Sequence, residues 1–158
     1  MALASEVAIR SAIVTTLQTV SGIGKVYPRV RRPKQGALAD YQRVYCDDDG
    51  KVNVWMVRRV QRAPEVDPYD VIQKVVQTYN LIGFYSVVDN DDDATASEAV
   101  FQKIIEDVAL AFEGGLIFSL NGVYHRGLAL PSDFEDKFLG DILCHEVQCR
   151  LVVDVEDC

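Results

Sequence analysis

Residues 89–115 read D-N-D-D-D-A-T-A-S-E-A-V-F-Q-K-I-I-E-D-V-A-L-A-F-E-G-G. An acidic loop runs into the strongest helical pattern in the chain. Phe101, Ile104, Ile105, Val108 and Phe112 recur at helical spacing, and Glu98, Lys103 and Glu106 fall off that stripe. Carboxylates ahead of a helix N-terminus favour its dipole, and Asp93, Thr95 or Ser97 is placed to cap it. Gly114 and Gly115 stop it. Asp89, Asp91 and Asp93 share the first three spacings of an EF-hand loop. Ala94, however, stands where that loop needs glycine, and Val100 where it needs a bidentate glutamate. The stretch therefore predicts a helix with one apolar face to cover a sheet, and no calcium loop.

The segments around it read mostly as strands. Residues 141–155 alternate: His145, Val147, Cys149, Leu151, Val153 and Val155 share one face, and Cys144, Glu146, Gln148, Arg150 and Asp154 the other. Residues 70–88 fit either period, but their β-branched content favours a long strand, bent at Gly83. Residues 41–46 and 51–60 read as two strands joined at Asp49-Gly50, a hairpin signal. Both faces of 51–60 carry apolar residues, and Trp55, the chain's only tryptophan, reads as a core residue or a subunit-contact anchor. A short strand is expected over 26–30, and a loop or single turn over 36–40. Residues 61–68, with two prolines, read as a connection. Residues 116–120 and 123–130 read as strands flanking Asn121-Gly122, and 131–140 as a polar loop.

A second helix is predicted over residues 5–20. Ser5 can cap it, and Ile9, Ala12, Ile13, Leu17 and Val20 line one face. At 158 residues the expectation is one α+β domain, residues 1–158, with a mixed or antiparallel sheet and two main helices on one face. The first twenty residues are interrupted by Glu6 and Arg10 and do not read as a signal peptide. No apolar run reaches the roughly 18 residues of a membrane span, so no membrane partner is expected.

Charge divides the chain. Residues 1–63 carry eleven Lys/Arg and five Asp/Glu, while residues 64–158 carry five and nineteen. Either the charges fall on solvated faces whose segments interleave in the fold, or the molecule has one basic and one acidic surface, suited to stacking against copies of itself. The overall charge of −8 argues against a dedicated nucleic-acid binder. Cys46, Cys144, Cys149 and Cys158 match no zinc spacing with His125 and His145, and free thiols are expected. No G-x-S-x-G, Walker or H-E-x-x-H motif occurs, and no carboxylates are paired by spacing. The expectation is accordingly no enzyme, no catalytic residue, no cofactor and no metal.

The order of segments carries a resemblance. It comprises the N-terminal helix ending in G-I-G, the strand ending V-N-V-W-M-V-R-R (Val52 to Arg59), a long strand through Tyr79 and Gly83, the acidic loop, S-E-A-V-F-Q-K-I-I-E-D-V (Ser97 to Val108), and a closing strand. Over most of its length the chain resembles the tail-terminator and tail-completion (head–tail joining) proteins of tailed bacteriophages. Residues 124–140 depart from the simplest pattern as an insertion. The resemblance implies an α+β subunit of a ring, commonly a hexamer, in the neck of the virion. Such a ring caps the tail tube, receives the head connector or adaptor protein, and is assembled in the bacterial host cytoplasm. Its implied partners are other copies of itself, the tail tube protein, the connector and, non-specifically, DNA in the lumen. Arg29, Arg31, Arg32, Arg43, Trp55, Arg58 and Arg59 are then candidate contacts on the basic part, and Asp91, Asp92 and Asp93 on the acidic part. The alternative expectation is a small-molecule-binding or regulatory α+β domain.

Overall fold

The computed structural model describes residues 4–34, 36–66, 68–69, 72–113, 120 and 122–156. Nine elements follow in order: α1 (Glu6–Gln18), β1 (Lys25–Tyr27), α2 (Leu38–Tyr45), β2 (Asn53–Val66), β3 (Ile72–Ser86), α3 (Ser97–Ala111), β4 (Val123–His125), β5 (Leu130–Leu139) and β6 (Ile142–Glu156). The fold is α+β with a mixed sheet, as composition and pattern predict. β1 lies parallel to β2, and the remaining pairs are antiparallel. The order is β1-β2-β3-β6, with β4 and β5 placed one after the other along the outer side of β6.

Helix α1 starts where Ser5 Oγ accepts the Ala8 N–H, and it buries Ile9, Ile13 and Leu17. Helix α3 buries the predicted stripe of Phe101, Ile104, Ile105 and Val108, with Phe112 beyond its last turn. Both helices cover the face of the sheet that carries Trp55, Val57, Tyr79, Leu81, Val147, Cys149 and Leu151. Trp55 is fully buried, with its indole laid over Gly83 on the neighbouring strand. Gly83 is thus a site of close packing on a continuous strand, and β3 keeps an unbroken register with β2 across it.

The helix N-terminus differs from its sequence reading. The N-cap is Ala96, with no side-chain hydrogen bond, so Asp93, Thr95 and Ser97 do not cap α3. Asp92 instead organises the loop, its Oδ1 accepting the Ala94 N–H and its carbonyl accepting from Thr95 and Ala96.

Three further readings are corrected. Residues 38–45 form helix α2 where a strand over 41–46 is expected. Tyr41, Val44 and Tyr45 stand at helical i, i+3, i+4 spacing, and Asp40 pairs with Arg43 one turn on. The tyrosine hydroxyls then fasten α2, with Tyr41 donating to the Leu139 carbonyl and Tyr45 to that of Arg31. The Asp49-Gly50 turn survives as one bridge between Cys46 and Val52, with Gly50 at φ 76°. Residues 61–66 continue β2 past a bulge after Arg59, because Pro64 sits on an edge strand whose outer side needs no donor. Residues 130–139 are β5, not a polar loop. They pair with β6 through a two-residue turn in which Gly140 takes φ 64°. Their charges read as loop because no face of this strand is fully covered. Residues 114–119 and 121, which include most of the predicted 116–120 strand, lie outside the described residues.

The opposite face of the sheet carries a smaller apolar cluster under α2, formed by Val44, Tyr45, Cys46, Val52, Val54, Met56, Phe84 and Cys144. Farther along the same face Asn80, Gln148 and Arg150 are left without a helix, and Asn80 Nδ2 donates to Gln148 Oε1 at 3.2 Å. The sheet therefore has one face covered across its central strands and one face half covered.

Candidate functional site

The two long edges of the sheet differ in charge. On the β2 side, β1 pairs only with Val54, Trp55 and Met56. From Val57 to Val66 the described residues supply no strand partner on the outer side. Arg58, Arg59, Val60, Gln61 and Arg62 are exposed there. Arg10, Arg32, Arg58 and Arg59 converge with Val30 and Val57 on a recess of about 320 Å³. Arg10 is held by Glu6 and donates to the Pro28 carbonyl at 2.7 Å, which pins the segment after β1 against the start of this edge.

The other edge is β5. Its outer side has no strand partner among the described residues, and residues 130–138 are exposed along its length. Asp133, Glu135 and Asp136 give it negative charge. Lys137, its one cation, is engaged by the buried Glu146 carboxylate at 2.5 Å, which raises the lysine pKa. Leu130, Phe134 and Phe138 are exposed on the same strand, Phe138 to 69 %.

The sequence candidates divide accordingly. Arg32, Arg58 and Arg59 come together. Arg31 lies near them, its guanidinium over the Tyr27 ring at 4.9 Å and its N–H directed to Met56 Sδ. Arg29 is exposed on the same segment. Arg43 is separate, on α2, where its ion pair with Asp40 raises its pKa, while a bond from the Lys34 N–H and that same arginine lower the pKa of Asp40. Asp91, Asp92 and Asp93 are exposed in the loop after β3, near the 47–51 turn and away from the arginines. Trp55 is removed from any contact surface, since α1 and α3 cover it completely. The zinc candidates do not converge: Cys46 and Cys144 lie in the cluster under α2, and Cys149 on the face under α1 and α3.

One constellation was not legible in the sequence. Ser97 Oγ is 2.9 Å from His145 Nε2, and His145 Nδ1 is 2.5 Å from Asp136 Oδ1. The connectivity is that of a Ser-His-Asp triad. The environment inverts it. Ser97 is buried and its Oγ already accepts the Val88 N–H at 2.7 Å, while the Asp136 side chain is 51 % exposed. A nucleophile needs access and its orienting acid needs shelter, and here each has the other's position. The His145 ring forms a three-ring cluster with Phe101 and Phe134, all centroids about 6 Å apart, and is within 20° of parallel to both. The three residues thus join the start of α3 to β6 and β5. Finding them needed the Asp136–His145 register, which exists only because 130–139 is a strand.

A further recess, about 390 Å³, opens between α2 and the β5–β6 turn and is lined by Pro33, Leu38, Tyr41, Cys46 and Ile142. Among the described residues no group of three His, Cys, Asp or Glu could hold a metal ion, and no helix is long and apolar enough to cross a membrane. No protein-family model and no curated protein matches the chain.

Proposed function

We propose that this chain is a structural subunit of a tailed-phage virion, a tail terminator or tail-completion protein. Its ring caps the tail tube and joins it to the head connector or adaptor, in the neck assembled in the host cytoplasm. The observation that carries this reading is the pair of opposite sheet edges, one basic and one acidic. A surface that complements a different surface on the same molecule gives head-to-tail association, which closes into rings when the rotation permits. The order of sequence segments supplies the virion context, and a commonly hexameric ring comes with it.

In this reading Arg31, Arg32, Arg58 and Arg59 meet acidic groups of a neighbouring subunit, and those left uncovered face DNA in the lumen. Ser97, His145 and Asp136 hold α3 to the sheet and carry no catalysis. Native mass spectrometry with negative-stain imaging tests the reading, and a six-fold ring is the expected result. Reversal of Arg31 and Arg32 to glutamate should abolish the ring and the joining of tails to heads. A chain that stays monomeric at high concentration, both alone and with unterminated tail tubes, refutes it.

The recess beside Tyr41 favours one second reading, a small-molecule-binding or regulatory domain, because its size and apolar lining suit a ligand. Ligand screening by thermal shift, with Tyr41→Ala as control, decides that reading.

A further inference from the structure

We infer that neighbouring copies join by β-augmentation, with the 57–66 edge of β2 in one copy pairing antiparallel to β5 of the next. The inference rests on the ring reading and specifies its interface. Four observations lead to it.

Both edges offer about ten residues of strand, close to 33 Å, without an outer partner among the described residues. An unpaired edge is a template for another strand. The directions also agree. β2 runs against β3, β3 against β6 and β6 against β5, so β5 runs opposite to β2. A neighbour with its strands kept in direction and its helices on the same side, moved sideways and about seven residues (about 23 Å) along the strands so that β5 clears β1, therefore presents β5 antiparallel to the 57–66 edge of β2.

The charges match on both faces. Arg59 and Arg62 share the face of Trp55, as Asp136 does. Arg58 lies on the opposite face, with Asp133 and Glu135. Each edge also carries one charge of the wrong sign, and each is compensated within the subunit. Glu65 lies 3.4 Å from Lys74 and 3.6 Å from Arg126, and Lys137 lies 2.5 Å from Glu146. Arg58, Arg59 and Arg62 form no ion pair among the described residues. The Trp55 face thus sets two arginines against Asp136, which His145 also holds, and the opposite face sets Arg58 against two carboxylates.

Apolar surface is left for the contact. Leu130, Phe134 and Phe138 on β5 and Val60 on β2 are exposed although large and apolar. Pairing of like edges would set arginine against arginine or carboxylate against carboxylate, which disfavours a two-fold dimer through either edge.

Two charge-reversed variants test the interface. In the first, Arg58→Glu, Arg59→Glu and Arg62→Glu leave both edges acidic. In the second, Asp133→Lys and Glu135→Lys leave both basic. The altered side chains are exposed, and thermal melting verifies that each variant folds. Sedimentation at low salt should show each variant associating more than about 100-fold more weakly than the wild type. Mixing the two should restore assembly, because each acidic edge then finds a basic one, and only alternating rings with an even number of subunits form. Backbone amides of 57–66 and 130–139 should gain protection from hydrogen exchange on assembly. A wild-type ring that both variants still form, or whose edge amides exchange as in the monomer, overturns the inference and leaves the ring reading standing. A wild type that never assembles, with a mixture that does not assemble either, overturns both.

Discussion

Gly83→Ala places a methyl group where the structure has no room. A Cβ at Gly83 falls 2.7 Å from Trp55 Cε2 and Cζ2 and 2.9 Å from Cδ2. Those atoms belong to a ring that cannot retreat. Trp55 is fully buried, its centroid is 6.1 Å from that of Phe101, and Phe101 is itself stacked on Tyr85 and His145. Overpacking of this kind costs about 1–3 kcal/mol, and a rigid indole held from behind puts this site at about 3. Replacing glycine in an extended strand returns about 0.4–1 kcal/mol through the unfolded chain, which leaves a net loss of about 2 kcal/mol. For a domain of this size that is a fall in Tm of roughly 4–8 °C. Trp55 is the only tryptophan, so its emission in a urea titration reports the transition directly. Trp55→Phe frees space above residue 83 and removes an indole N–H without a hydrogen-bond partner among the described residues. In the double variant, followed by circular dichroism, the two losses should fall short of additivity by at least about 1 kcal/mol. A Gly83→Ala protein that melts within 1 °C of the wild type, or a cycle that is strictly additive, refutes the packing argument.

The Ser97–His145–Asp136 tie should behave as structure. His145→Ala should lower stability by about 2–4 kcal/mol through loss of a buried ring and its bonds, and Asp136→Asn by less than about 1, as measured by urea unfolding. A fluorophosphonate probe should leave Ser97 unmodified, and labelling that disappears in His145→Ala would instead establish a hydrolase. Burial raises the Cys144 thiol to about 11 and the Cys149 thiol to about 12. Both should therefore resist iodoacetamide in the native protein at pH 8 and react on unfolding, as peptide mapping reads. The unfolded chain ionises these thiols near their ordinary value of about 9 while the folded chain keeps its protons. Stability should then decline as pH rises above about 9, and an alkaline limb that is flat to pH 11 contradicts their burial. Gly24→Ala should unfold the turn between α1 and β1, because its Cβ would lie 2.0 Å from the Asn53 carbonyl oxygen; wild-type Tm in that variant would count against the turn geometry.

Elements that bury one complete face were legible. The stripe of α3, the Ser5-capped α1 and the alternation of β6 each encode a single period that nothing in the tertiary structure overrides. Elements that bury little were not. Strand β5 is exposed on both faces, so it has no apolar alternation to read, and the same composition in a loop gives the same signal. Helix α2 is only two turns long, and its buried Val44 and Tyr45 with the half-buried Tyr41 are too few to fix a period over so short a span. The candidate site failed to show for a related reason. Asp136 meets His145 across strand neighbours whose register depends on an element that the pattern misassigned, and Arg32 reaches the recess at Arg58 from the irregular segment after β1.

The exposure that hid β5 is also what makes the edge usable. A strand that packs on the core of its own subunit shows alternation, because alternate residues must be apolar. A strand destined to be covered by a neighbour must remain soluble first, so it carries charge on both faces and keeps its apolar residues few. β5 has that composition, with three carboxylates interleaved with Leu130, Phe134 and Phe138, and the outer stretch of β2 has its counterpart in three arginines around Val60. Pro131 and a bulge before Asp133 on one edge, and Pro64 and a bulge after Arg59 on the other, interrupt each strand as a free template. In the proposed interface these interruptions guard against indiscriminate pairing and leave charge to select the partner. Salt sets the expectation that separates this from a purely apolar contact. With a screening length of about 10 Å at 0.1 M and about 3 Å at 1 M, assembly should weaken steadily across that range. An association that strengthens with salt would assign the edges to the hydrophobic residues alone.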